Sequence, residues 1–101
     1  MKVIKITGAV RELDIENTPA AFRCALGGHF LRTIHLNNGS AMLYDTEARL
    51  NGAERNEIAS IAAQDDIFGG VLVVGTTEED YCDVPENIAK SFKDLLQAVT
   101  W

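Results

Sequence analysis

The chain has little of what marks several common classes of protein. It has two cysteines, Cys24 and Cys82, far apart and with no Cys-x-x-Cys spacing. Two cysteines are too few for a disulfide scaffold, and a reducing compartment is the expectation, with each thiol buried as a small apolar group. No apolar run approaches the roughly 20 residues that a membrane span requires, so no membrane partner is expected. Lys2 and Lys5 lead only into a short alternating segment, which is not the apolar core of a secretion signal. Basic excess is missing too. The formal charge is −6, whereas a nucleic-acid surface needs a basic face. No G-x-S-x-G, no H-E-x-x-H and no Ser-His-Asp order occurs, and no catalytic group or cofactor is expected.

What remains is the composition of an ordinary folded chain, 47% hydrophobic and 24% charged over 101 residues, the size of one domain. The acidity is uneven. Residues 65–101 hold Lys90 and Lys93 against Asp65, Asp66, Glu78, Glu79, Asp80, Asp83, Glu86 and Asp94, so the C-terminal third carries the net charge. It reads either as a solvated face or as an acidic surface that imitates a polyanion.

The hydrophobic pattern predicts an α+β domain with a mixed or antiparallel sheet of about five strands and three helices, in the order ββαββαβα. Met1–Thr7 alternates as an edge strand, and Val10–Glu16 returns, with Leu13 and Ile15 on one side. Thr18-Pro19 opens a short helix with Phe22, Ala25 and Leu26 on its apolar face, and Gly27-Gly28 closes it. His29–Leu36 and Ala41–Asp45 are strands joined through Asn37-Asn38-Gly39-Ser40, a hairpin turn sequence. After the polar loop Thr46–Gly52, a helix is expected over Glu54–Ala63, with Ile58, Ile61 and Ala62 on one face. Asp65-Asp66 ends it. Ile67–Val74 is continuously apolar, as a central strand covered on both faces would be. Gly69-Gly70 within it marks a bulge or the close approach of another backbone. Asp83 and Glu86 have capping-box spacing before a last helix striped by Ile88, Phe92, Leu95, Leu96 and Val99.

His29 and His35 fall on the same face of a strand about 20 Å apart, too far to share a metal ion. The cluster that attracts attention is Tyr44, Arg49, Asn51, Arg55 and Asn56, with Asp45, at a strand end, a loop and a helix start. A helix start offers free N–H groups to an anion, and arginines take phosphate in forked hydrogen bonds. Tyr44 would stack on a ring. Glu47, Glu54 and Glu57 stand close enough in sequence to pair with the arginines instead, so a binding site and a solvated surface both stay open.

Four groups of residues carry a family resemblance: MKVIKI with LDIENT; LGGHF; LYDTEARLNG with Asn56 behind it; and IFGGVLVVG. Together, in this order, they resemble the domain-of-unknown-function family three-eight-four-six of small phage, plasmid and bacterial proteins. The family pattern has a Pro and an Arg flanking the Asn at 56 and a Thr after the strand glycine, where this chain has Glu54, Glu57 and Gly70. The resemblance implies a mobile-element setting and a host cytoplasm, not a reaction. On this basis the leading expectation is a non-enzymatic binding protein that sequesters a small phosphorylated, nucleotide-like immune signal to counter host defence. The alternative is a module that inhibits a host defence or DNA-acting enzyme through the acidic third. A homo-oligomer, most simply a dimer, is expected in either case, and Trp101 is expected to pack, preferably against a second subunit.

Overall fold

The computed structural model of the chain describes residues 1–28, 30–36 and 39–99, the side chain of Val99 excepted. The expectations for His29, for the Asn37-Asn38 turn positions and for Trp101 lie outside the described residues.

The elements follow in the order β1 (Lys2–Ile6), β2 (Val10–Asp14), α1 (Pro19–Leu26), β3 (Leu31–Leu36), β4 (Ser40–Asp45), α2 (Glu57–Ala63), β5 (Val71–Thr76), β6 (Tyr81–Cys82) and α3 (Glu86–Val99). The fold is α+β, as expected, but the sheet has six strands and not five, ordered β2-β1-β5-β4-β3, with β6 also on β5. The sheet is antiparallel throughout. The sixth strand escaped the sequence because two residues are too short for any periodicity to show. β6 pairs Cys82 with Gly75 and Tyr81 with Thr76, taking up the β5 edge beyond the point where β1 leaves it. The Val84 N–H then bonds to the Lys2 carbonyl at 2.9 Å.

β1 is not an edge strand. It lies between β2 and β5, and Val3, Ile4 and Ile6 are all fully buried. The period of two sorts its side chains to opposite faces, each covered by helices. Ile4, Ile6, Met42, Val71 and Val73 face α2 and α3, packing with Ile58, Ala59, Ile88, Ala89 and Phe92. Val3, Ala41, Leu43, Leu72 and Val74 face α1 and its Phe22. Thr18 caps α1 by accepting from the Ala21 N–H at 3.1 Å, and Gly27 ends it at φ 68° in the left-handed region.

Two helix starts differ from expectation. α2 begins at Glu57, three residues late, because Asn56 caps it and Glu54-Arg55 is extended. The helix is also rotated: Ile58, Ala59 and Ser60 point inward while Ile61 stays 45% exposed. The capping box before α3 does not form. Asp83 instead accepts the Lys2 N–H at 2.8 Å, tying the entry of α3 to β1.

The glycine at 75 is required by β6. A Cβ there would collide with the Asp83 carbonyl oxygen and lie 2.9 Å from Cys82 Sγ. Backbone cannot move aside as a side-chain tip can, so Gly75→Ala is expected to cost about 1–3 kcal/mol. A lowered urea midpoint would accompany loss of amide protection at Tyr81 and Cys82. Unchanged protection there would refute the close pairing.

Candidate functional site

The side chain of Asn56 organises one end of the sheet. It is 7% exposed. Its Nδ2 donates to the carbonyls of Ile6 at 3.0 Å and Gly69 at 2.8 Å, while Oδ1 accepts from Ala59 N–H at 3.1 Å. One amide thus joins the end of β1, the segment before β5 and the first turn of α2. The segment before β5 runs alongside the entry to α2. Asn56 N–H bonds to Ile67 O at 2.7 Å, Gly69 N–H to Glu54 O at 3.0 Å, and Arg55 and Phe68 form an antiparallel bridge. Ser60 completes the seam: its hydroxyl donates to the Ile67 carbonyl and accepts the Ile67 N–H.

The expected strand Ile67–Val74 therefore begins only at Val71. Gly69, at φ 79°, turns the chain beneath the 46–53 loop, where an added Cβ would come within 3.1 Å of Ala48 Cβ. A Cβ added at Gly70 would lie 3.2 Å from Thr7 Cγ2 and 3.7 Å from the Ile6 carbonyl oxygen. The glycine pair thus lies before the strand and not inside it, and the atoms that crowd it most are side-chain ones.

Between these segments lies an open cleft of about 490 Å³ lined by Thr7, Gly8, Glu54–Ile58, Gly69, Gly70 and Leu96. Of the residues singled out from the sequence, Arg55 and Asn56 line it. Asn56 has both amide hydrogens and a carbonyl lone pair engaged by the fold, so it builds the wall. Arg55, with its side chain 41% exposed, meets Asp66 at 3.1 Å and Glu57 at 2.7 Å. Asp66 first, then Glu57, holds its guanidinium pKa above the ordinary value. The guanidinium carbon of Arg49 lies 4.9 Å from the centre of the Phe68 ring, and Phe68 directly precedes the cleft residue Gly69. Arg49 has no carboxylate partner among the described residues. Directly opposed residues of an antiparallel bridge project to the same side, so Phe68 and Arg55 are neighbours. Tyr44 is not brought to the cleft; it is half-buried against the core under α2 and α3. Asn51 is exposed in the turn that Gly52 closes at φ 84°.

Phe68, Thr7, Gly8 and Leu96 escaped the sequence reading. Phe68 was hidden in an apolar run, and only the Gly69-Gly70 pair beside it signals that the run is broken. Among the described residues no group of three or more His, Cys, Asp or Glu side chains is placed to hold a metal ion. No described helix is long and apolar enough to cross a membrane.

A sequence model of the family described as Domain of unknown function (DUF3846) matches residues 1–97. Comparison with curated proteins and with solved structures returns no match.

Proposed function

The chain belongs to the DUF3846 family, and we propose that it is a binding protein, without chemistry of its own, for a small phosphorylated, nucleotide-like ligand held at the Asn56-built cleft. The observation that carries this reading is Arg49 over the ring of Phe68 with no described carboxylate on it, Phe68 being the chain neighbour of Gly69 and the bridge partner of Arg55, both of which line a cleft of ligand size. A phosphate pairs with the Arg49 guanidinium in forked geometry, and a planar base lies against the Phe68–Arg49 surface. Arg55 already serves Asp66 and Glu57 and contributes less. The rim carboxylates Glu54 and Glu57 accept hydrogen bonds from ribose hydroxyls or ring amino groups, so the phosphate belongs at the Arg49 end. In the mobile-element setting implied by the resemblance, such binding sequesters a nucleotide-derived immune signal in the host cytoplasm and counters host defence.

Calorimetric titration with a panel of cyclic nucleotides and ADP-ribose derivatives tests the proposal. At least one is expected to bind, and Arg49→Ala to weaken it about 10- to 100-fold, the loss of one charge-assisted contact of roughly 1.5–3 kcal/mol. Absence of heat and of thermal shift across the panel would overturn the reading.

One feature favours the protein-partner alternative. The turn Thr77–Asp80 is closed by Thr77 N–H to Asp80 O at 2.8 Å and displays Glu78, Glu79 and Asp80, none paired with a described cation. Reversing these three charges leaves nucleotide binding unchanged under the first reading and abolishes capture of a host protein under the second.

A further inference from the structure

The two edges of the sheet are guarded unequally. On β2, Arg11, Glu12 and Asp14 place three charges in five residues, and Lys93 of α3 reaches Glu12 at 3.6 Å. Charges of this density discourage a further strand. β3 carries no carboxylate. Its Arg32 and His35 lie on opposite faces, Ile34 and Leu36 are half-buried beside the α2–α3 core, and β4 is its one strand neighbour. Its outer row of backbone groups is a template for pairing.

The two ends of β3 differ in a complementary way. Phe30 just precedes it, 57% exposed. The Phe30 carbonyl accepts the Thr46 N–H at 2.9 Å, so the β3–β4 ladder extends to this residue. Strand alternation carries Phe30 to the same face as Ile34 and Leu36. At the far end of β3, about 20 Å away, lies a groove of about 440 Å³ lined by Leu36, Ala62, Ile88, Phe92 and Leu95, with His35 at its rim. An aromatic side chain of the kind that fills such a groove thus projects at one end of the strand, and the groove opens at the other.

We propose that β3 pairs with β3 of a second copy of this chain, antiparallel about a two-fold axis normal to the sheet and passing by Thr33. An axis of that direction keeps the faces of the two sheets continuous, so directly opposed residues must share parity. Thr33 then meets the partner's Thr33, Arg32 meets the partner's Ile34, and Leu31 meets the partner's His35. Phe30 meets the partner's Leu36 and enters the groove behind it. The contact is reciprocal, as a two-fold interface must be. No like charges are opposed, and two exposed phenyl rings become buried. A strand with carboxylates would fit less well, since self-pairing would set them against each other. This inference is independent of the ligand reading.

Sedimentation equilibrium at about 1–100 µM tests it. The wild-type chain is expected at the two-chain mass. Phe30→Asp is expected at the single-chain mass with an unchanged circular dichroism spectrum, its dimer dissociation constant raised at least about 100-fold. Arg11→Glu, on the other edge, is expected to keep the dimer. In a Cys24→Ser, Cys82→Ser background, Thr33→Cys is expected to give a covalent dimer under mild oxidation, since opposed residues across such an axis approach within disulfide range. A wild-type chain at the single-chain mass throughout, a Phe30→Asp variant that keeps the two-chain mass, or dissociation by Arg11→Glu would each overturn the proposal.

Discussion

Replacing Asn56 by Ala is expected to destabilise the protein by about 3–5 kcal/mol, a large part of the 5–15 kcal/mol that holds a domain of this kind together. The side chain is buried and makes three hydrogen bonds. Loss of the helix cap costs about 1 kcal/mol. The carbonyls of Ile6 and Gly69 then face a methyl group in place of a donor, at about 1–2 kcal/mol each. Asn56→Ser separates these contributions. A serine hydroxyl still caps α2 but cannot reach both carbonyls, so the Ser variant should be about 1 kcal/mol more stable than the Ala variant. Urea unfolding followed by circular dichroism reads both. If Asn56→Ala lies within about 1 kcal/mol of wild type, the three-way bond does not contribute as described. Because this amide also shapes the cleft, the proposed nucleotide binding should fall in both variants, by an amount unrelated to their difference in helix capping.

The contrast between Asn56 and Arg49 shows what the sequence makes legible. Both stand out in the linear chain as polar residues near a helix start. Their roles depend on Phe68 and Ile6, which are distant in sequence and look like ordinary core residues. Long-range hydrogen bonds from a side chain to a carbonyl leave no periodic trace. Asn56 therefore read as a ligand contact, although its amide is occupied by Ile6 and Gly69. Likewise Arg55 and Glu57 were open to pairing or to ligand binding, and the fold pairs them at 2.7 Å, with Asp66 as a second partner that the sequence did not suggest.

Elements with strong local signals were legible. Thr18-Pro19 and Gly27 bound α1 as their capping chemistry dictates, and the alternation of β2 and the stripe of α3 recur in the burial of Leu13, Ile88 and Phe92. Errors fell where tertiary contacts override local preference. Glu54-Arg55 has adequate helix propensity, yet the bridge to Phe68 keeps it extended. Asp83-x-x-Glu86 has the spacing of a cap, yet the Lys2 N–H claims the Asp83 carboxylate. β1 looked like an edge because Met1–Thr7 alternates, with Val3 apart from Ile4 and Ile6. Its interior position follows from β5, a partner 65 or more residues away that only the fold reveals.

The second large effect is expected at Phe22. On one face of the sheet two helices, α2 and α3, cover the strands. On the other face α1 alone does so, with eight residues, of which only Phe22 is buried. A helix of that length is marginal in isolation, below the ~12–15 residues needed for helical stability in water. Its caps contribute about 1 kcal/mol each, so its docking depends on the buried ring. Phe22 also packs edge-on against Tyr81, with centroids 5.8 Å apart and planes at 73°, and the Tyr81 hydroxyl shares a 2.8 Å hydrogen bond with Thr33. One ring thus couples α1 to the short β6 and, through Tyr81, to β3. Phe22→Ala is expected to cost about 3–5 kcal/mol, as for other buried aromatic truncations. Its loss should not stay local. Amide protection should fall across α1 and at Tyr81, while the α2–α3 face keeps its order of protection. Phe22→Leu retains most of the volume and loses the edge contact, so a cost of about 1–2 kcal/mol is expected. Urea denaturation with hydrogen exchange resolves the two. A small cost for Phe22→Ala, with α1 amides still protected, would show that the caps and the half-buried Ala25 and Leu26 hold the helix. In that event this face of the sheet would be stabilised by the helix as a unit and not by a single ring.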